Sequence, residues 1–91
     1  MSLDLLRQQI DQLNEEILES LAKRLKISKE VAVVKKKHNL PIHDDKRELE
    51  QYMMLRSMAK NHALSPIVIE EIFSLIIEYS KLIQKLEVAH V

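Results

Sequence analysis

Arg24 stands where an apolar residue belongs. It falls within a stripe that reads Leu3, Leu6, Ile10, Leu13, Ile17, Ser20, Arg24, Ile27, Val31 and Val34, the three-and-four spacing of one helical face. A guanidinium on a face meant for burial is costly unless an anion meets it. Lys35 follows eleven residues on, almost three turns, and points in nearly the same direction. The two backbones lie ~16 Å apart along the axis, a gap that two long cationic side chains can close on one small dianion. Arg7 precedes Arg24 by seventeen residues. That is ~25 Å, too far to join them within one chain, but an antiparallel pair of such helices brings the second copy's Arg7 to the same pocket.

Ser80 and Gln84 repeat the oddity. They stand four apart on one helical face, amid Ile76, Ile77, Leu82 and Ile83. Uncharged hydrogen-bonding groups on a mostly apolar face need partners there. Asp44, Arg47 and Glu48 form a third cluster at i, i+3 and i+4 spacing. Each group also has a purely structural reading. Arg24 can snorkel, or pair with Glu19 or Glu30. Lys35 belongs to Lys35-Lys36-Lys37, a run that suits a solvated helix C-terminus. Arg7 can bond to Asp4 or Asp11, Arg47 to Asp44, and Glu48 can serve in a capping box; Ser80 and Gln84 can be ordinary interhelical hydrogen bonds. Spacing alone names no reaction.

The elements that must position these residues are easily parsed. Nothing interrupts a helix over about 3–37. His38-Asn39-Leu40-Pro41-Ile42-His43 is the first connection, since proline denies the preceding residue an easy helical conformation. Asp44 or Asp45 can cap a second helix over about 44–61, with Asp45 and Glu48 matching a capping box. Ser65 and Pro66 are a strong start signal for a third, over about 66–88. The expected fold is all-α, three helices in a single domain spanning residues 1–91. The first helix is a rod of roughly 50 Å, whereas a compact monomer of this length has a radius of gyration near ~12 Å. Such a rod overhangs its own globule, so the sequence predicts an intertwined helical homodimer.

Composition narrows the function. Of the 91 residues, 46% are hydrophobic and 31% charged, with 14 basic against 14 acidic, so no net field attracts nucleic acid or an anionic membrane. Cysteine is absent, which removes disulfides and thiolate metal sites, and His38 and His43 have no obvious third ligand. No glycine is present for a phosphate-cradling loop, and the three aromatics, Tyr52, Phe73 and Tyr79, are too few for a base-stacking platform. No apolar run approaches ~18 residues and no signal-peptide pattern opens the chain, so a cytoplasmic protein is expected.

Taken together, these residues resemble the all-helical (AroQ-class) chorismate mutases, over nearly the whole chain. The segments that carry the likeness are Leu6-Arg7-Gln8-Gln9-Ile10-Asp11, Leu21-Ala22-Lys23-Arg24, Val31 to Lys35, Pro41-Ile42-His43-Asp44 through Arg47-Glu48, and Ile76-Ile77-Glu78-Tyr79-Ser80 with Gln84. The resemblance implies a cofactor-free, metal-free [3,3] rearrangement of chorismate to prephenate in phenylalanine and tyrosine biosynthesis. It also implies a homodimer with two sites, each completed by the other protomer's Arg7. By the same resemblance, Arg24 and that Arg7 hold the two carboxylates. Lys35 bridges a carboxylate and the ether oxygen, to which Gln84 also donates. Glu48 and the backbone near Asp44 take the ring hydroxyl, Ser80 assists a carboxylate, Arg47 orients its acidic neighbours, and Val31 and Ile77 are apolar walls. An isochorismate–pyruvate lyase shares this fold; as a family such lyases match the arginines, lysine and glutamine but not the Glu48 and Ser80 positions. A non-catalytic dimerisation or regulatory module would need only the apolar stripes.

Overall fold

A computed structural model describes residues 2–90 of the chain. The first helix, α1 (Leu3–Lys37), is capped by Ser2, whose side chain accepts the Leu5 N–H at 3.1 Å. Asp4 in the first turn and Lys35, Lys36 and Lys37 in the last oppose the helix dipole in the favourable sense. It ends where Asn39 turns to a left-handed φ of 54° and the Leu40 N–H returns to the Lys35 carbonyl at 2.8 Å.

The second helix, α2 (Asp45–Asn61), starts on Asp44, which is extended and accepts the Arg47 N–H at 3.1 Å. The Asp45–Glu48 capping box does not form. With Asp44 as the cap, Asp45 is already helical and its carboxylate meets His43 Nε2, while Glu48 lies one position too far along to reach back. The C-terminus of α2 repeats the closure seen in α1: the Leu64 N–H bonds to the Ala59 carbonyl at 2.8 Å and Ala63 sits at φ 55°. With no glycine in the chain, an alanine Cβ takes that left-handed position at a cost of roughly 1–2 kcal/mol. The third helix, α3 (Pro66–His90), opens with Pro66 at its first position and the Val68 N–H 3.4 Å from Ser65 Oγ. It runs two residues past the expected 88, since neither proline nor glycine follows Pro66 to stop it.

The α3 helix packs against both of the others, while among the described residues the α1 and α2 backbones do not approach each other and are linked through side chains, Arg24 to Gln51. Arg56 Nε on α2 bonds to Glu70 Oε1 on α3 at 2.9 Å, and Lys36 Nζ on α1 reaches the Val88 carbonyl at 3.4 Å. The result is a flat layer, 55 × 27 × 15 Å. Its radius of gyration is 16.3 Å, against roughly 12 Å for a compact chain of this length. Its accessible surface is 7323 Å², against about 5,500 Å² for a folded monomer of this mass. The core is correspondingly thin. Ala32, Ala59 and Ile77 are its buried apolar residues, joined by three buried polar ones, Ser28, Ser80 and Gln84. Every residue of α1 from Leu3 to Ser20 is exposed. This half-helix has the apolar stripe of a packed element, yet its side chains stay exposed, with only a shallow groove toward Phe73 and Ile76 beside Leu13 and Ile17.

Candidate active site

The three buried polar residues mark the wall of a cavity of about 340 Å³ where the C-terminal half of α1, the start of α2 and the second half of α3 converge. α1 contributes Arg24, Val31 and Lys35 to it. The connection and α2 contribute Asp44, Arg47 and Glu48, and α3 contributes Ile77, Ser80 and Gln84. These nine are sequence-predicted site residues, and the fold brings them around one space. Arg7 is the exception: it lies on the exposed half of α1 and does not line the cavity.

Arg24 is held without being neutralised. Its Nη1 donates to Ser80 Oγ and its Nη2 to Gln51 Oε1 at 3.0 Å, both uncharged oxygens. The pairing with Glu19 or Glu30 that the sequence allows is not made; Arg24 turns toward α3 and α2 instead. Burial, and then the nearby charge of Arg47, lowers its pKa from the ordinary arginine value. A guanidinium remains protonated under such pressure, so the arrangement is a fixed positive charge that an anion would relieve. Ser80 accepts from Arg24 yet keeps its own O–H to donate. Lys35 is similar. Its Nζ donates to the Ile42 carbonyl at 2.8 Å, and among the described residues no carboxylate comes within ion-pair distance of it.

The acidic groups are arranged differently from the sequence expectation. Asp44 receives the backbone N–H of Arg47, not its guanidinium, which lies 3.8 Å from Glu50. Glu48 is held by Lys81, with Nζ 2.8 Å from Oε1, and its Oε1 is also 3.5 Å from His43 Nδ1. Lys81 in turn lies 2.9 Å from Glu78. These contacts, with Glu48 first and Glu78 second, raise the Lys81 pKa above the usual lysine value. Gln84 is buried, and its Oε1 has no protein hydrogen-bond partner. Buried amide oxygens are ordinarily paired, so this one has its bonding capacity unspent. Among the described residues no three His, Asp or Glu side chains gather as a metal site; His43 is engaged by Asp45, Glu48 and Lys81.

Sequence reasoning missed Gln51, Lys81 and the Ile42 carbonyl. Gln51 does carry a signal, being four residues after Arg47 and three after Glu48 on the same face of α2. Lys81 is three before Gln84, the same relation on α3. The carbonyl has none, because its role depends on how the connection folds back over α1. Four cationic and two anionic side chains line the cavity, Arg24, Lys35, Arg47 and Lys81 against Asp44 and Glu48, leaving it two charges positive. A cleft of this size and sign, walled by Val31, Ile42 and Ile77, suits a small organic dianion with an apolar body.

Comparison with known proteins places these features in a family. The sequence profile described as chorismate mutase type II matches residues 6–85. A chorismate mutase of Methanocaldococcus jannaschii is 34% identical over 80 residues, covering 88% of this chain and 81% of that protein. A bifunctional chorismate mutase/prephenate dehydratase of Buchnera aphidicola is 37% identical over 79 residues, which is 87% of this chain but only 21% of that protein. Among solved structures, a conserved hypothetical protein from Pyrococcus furiosus superposes with a TM-score of 0.69 at 36% identity, covering 90% of this chain and 93% of that one.

Proposed function

The chain belongs to the chorismate mutase type II family, and from that premise we infer that it is an isomerase converting chorismate to prephenate in aromatic amino acid biosynthesis. The observation that carries the reading is the state of the cavity's two inner cations. Arg24 is held by two neutral oxygens and Lys35 by one carbonyl, so both charges are left for a bound anion.

The reaction is an intramolecular [3,3] rearrangement: one C–O bond breaks as one C–C bond forms. It needs no nucleophile and no net proton transfer. What it needs is a folded substrate and a stabilised ether oxygen. Chorismate's two carboxylates repel each other in the folded conformer, and Arg24 with a second arginine fixes both by charge-assisted hydrogen bonds. Negative charge grows on the ether oxygen as its bond lengthens. Lys35, with N–H groups to spare, and the amide N–H of Gln84 are the donors for it, held in place by the fold before the reaction begins. Glu48 and the Asp44 backbone take the ring hydroxyl. Ser80 donates to a carboxylate, Arg47 adds to the positive field, and Val31 and Ile77 press on the ring.

The second arginine is Arg7 of a partner protomer, in a homodimer whose long helices run antiparallel. Support comes from surface bookkeeping. The excess over a compact monomer, about 1,800 Å² per protomer, doubles to about 3,600 Å² for a pair, within the range of obligate homodimer interfaces. The bare apolar stripe of α1 from Leu3 to Ile17 is the surface such a partner would cover. The 91 residues act as one catalytic domain, and the presence of Glu48 and Ser80 in the cavity favours the mutase over a lyase of the same fold.

Incubating the purified chain with chorismate and following loss of its ultraviolet absorbance tests the reading. Conversion to prephenate is expected; an unchanged spectrum, or release of pyruvate from isochorismate alone, would overturn it.

A further inference from the structure

Two lysines reach the cavity, and their ammonium groups are used in opposite ways. Lys35 Nζ has one partner, the Ile42 carbonyl at 2.8 Å, which leaves two of its three N–H groups for a ligand. Lys81 Nζ has three partners: Glu48 Oε1 at 2.8 Å, Glu78 Oε1 at 2.9 Å and His43 Nδ1 at 3.2 Å. Two carboxylates and a ring nitrogen surround this ammonium, so its charge is committed to the protein. With Nδ1 accepting, the His43 ring carries its proton on Nε2, which donates to Asp45 Oδ1. Glu48 Oε1 is buried 2.8 Å from the Lys81 ammonium and has no aligned hydrogen bond, so charge is what pairs the two.

We propose that Lys81 is a positioning residue for the rearrangement: its ion pair, braced by Glu78 and His43, aims the Glu48 carboxylate at the substrate's ring hydroxyl. The inference rests on the mutase reading above and deepens it. A carboxylate at the end of two flexible torsions would otherwise be free to swing toward Arg47 or Lys35 and cancel a charge that the dianion needs. Lys81 is well placed for the task because α3 carries it one residue beyond Ser80, on the flank that faces α2. It touches Glu48 and not the reacting atoms. Its effect should therefore pass entirely through Glu48.

The test is a double-mutant cycle on the full chain, using Lys81→Met, Lys81→Arg, Glu48→Gln and the Met/Gln double variant, with chorismate as substrate. Lys81→Met should lower kcat/KM by about 10- to 100-fold, the cost of a misplaced binding group, and Lys81→Arg should recover most of that loss. In the Glu48→Gln background, Lys81→Met should cost no more than about twofold, because coupled residues do not add. Should turnover by the Gln variants be too slow to follow, calorimetric binding of prephenate to the same proteins must show the same pattern. Equal losses in both backgrounds, or a Lys81→Met enzyme with unchanged kinetics and binding, would overturn the proposal while leaving the mutase reading intact. A wild-type chain that leaves chorismate untouched would remove both.

Discussion

The two halves of α1 have the same pattern and opposite surroundings. From Leu21 onward, the helix rests on α3: Leu21, Arg24, Leu25 and Lys35 are partly covered, and Ser28 and Ala32 are buried. From Leu3 to Ser20, every residue is exposed, although Leu3, Leu6, Ile10, Leu13 and Ile17 keep the spacing of a packed face. The apolar stripe runs through both halves, interrupted at Ser20 and Arg24, and neither half carries a helix-breaking residue. What differs is only whether the chain supplies a neighbour. Most helical stability in proteins comes from tertiary packing, and the proposed second copy would supply it to the bare half. The covered half lines the cavity; the bare half holds Arg7, the arginine proposed to complete a partner's cavity.

That contrast can be broken by mutation. Lys35→Ala, in the covered half, should cost the most: removing a preorganised donor to developing charge typically lowers kcat by about 10²–10³-fold. Steady-state kinetics checks this, and a near-normal turnover number would discard Lys35 as the donor. Arg7→Ala, in the bare half, should lose about 10²-fold in kcat/KM although its side chain lies outside the cavity of its own protomer. A lone-protomer enzyme would not register the change. Ile10→Ala and Ile17→Ala sharpen the same point through stability. Each side chain is more than half exposed in the single chain, where truncation ordinarily costs under about 0.5 kcal/mol. Covered by a partner, each should cost about 2–5 kcal/mol in denaturant unfolding.

Much of this arrangement was legible in residue types. Pro41 and Pro66 place the breaks between the three helices. Nine of the ten expected site residues line one cavity, because helical spacing alone decides which side chains share a face. The start of α2 was ambiguous for a local reason. Asp44 and Asp45 can both cap, and only the extended backbone of Asp44 decides between them. Gln51 and Lys81 were not legible because their partners, Arg24 and Glu48, lie on other helices, and no spacing rule within one helix reports a contact between two. The C-terminus of α3 lacked any stop signal to read.

Two smaller effects concern regions on either side of the cavity. Lys81 has a pKa raised by Glu48 and then Glu78. The contribution of its ion pairs is complete below the ordinary lysine value of ~10.4 and fades as pH climbs through the raised value. Stability should therefore fall in the alkaline range, and less steeply in Lys81→Met, as pH-dependent thermal melts would record. Across neutral pH, activity should stay nearly flat, since the Gln84 amide donates at any pH. Ala63→Gly should act last and least. Relieving the left-handed alanine at the end of α2 should stabilise the fold by about 1 kcal/mol, with unchanged kinetics because the α2–α3 turn lies apart from the cavity.

The central claim, a catalytic cavity completed by a second copy, is tested most directly by mixing two inactive variants. Arg7→Ala and Lys35→Ala protomers, unfolded and refolded together, form mixed dimers in which one of the two sites has an intact Lys35 and receives an intact Arg7. With random pairing, half the dimers are mixed and one site in two is restored in each, so activity should return to about a quarter of the wild-type value. Activity that stays at the level of the separate variants would contradict the shared site.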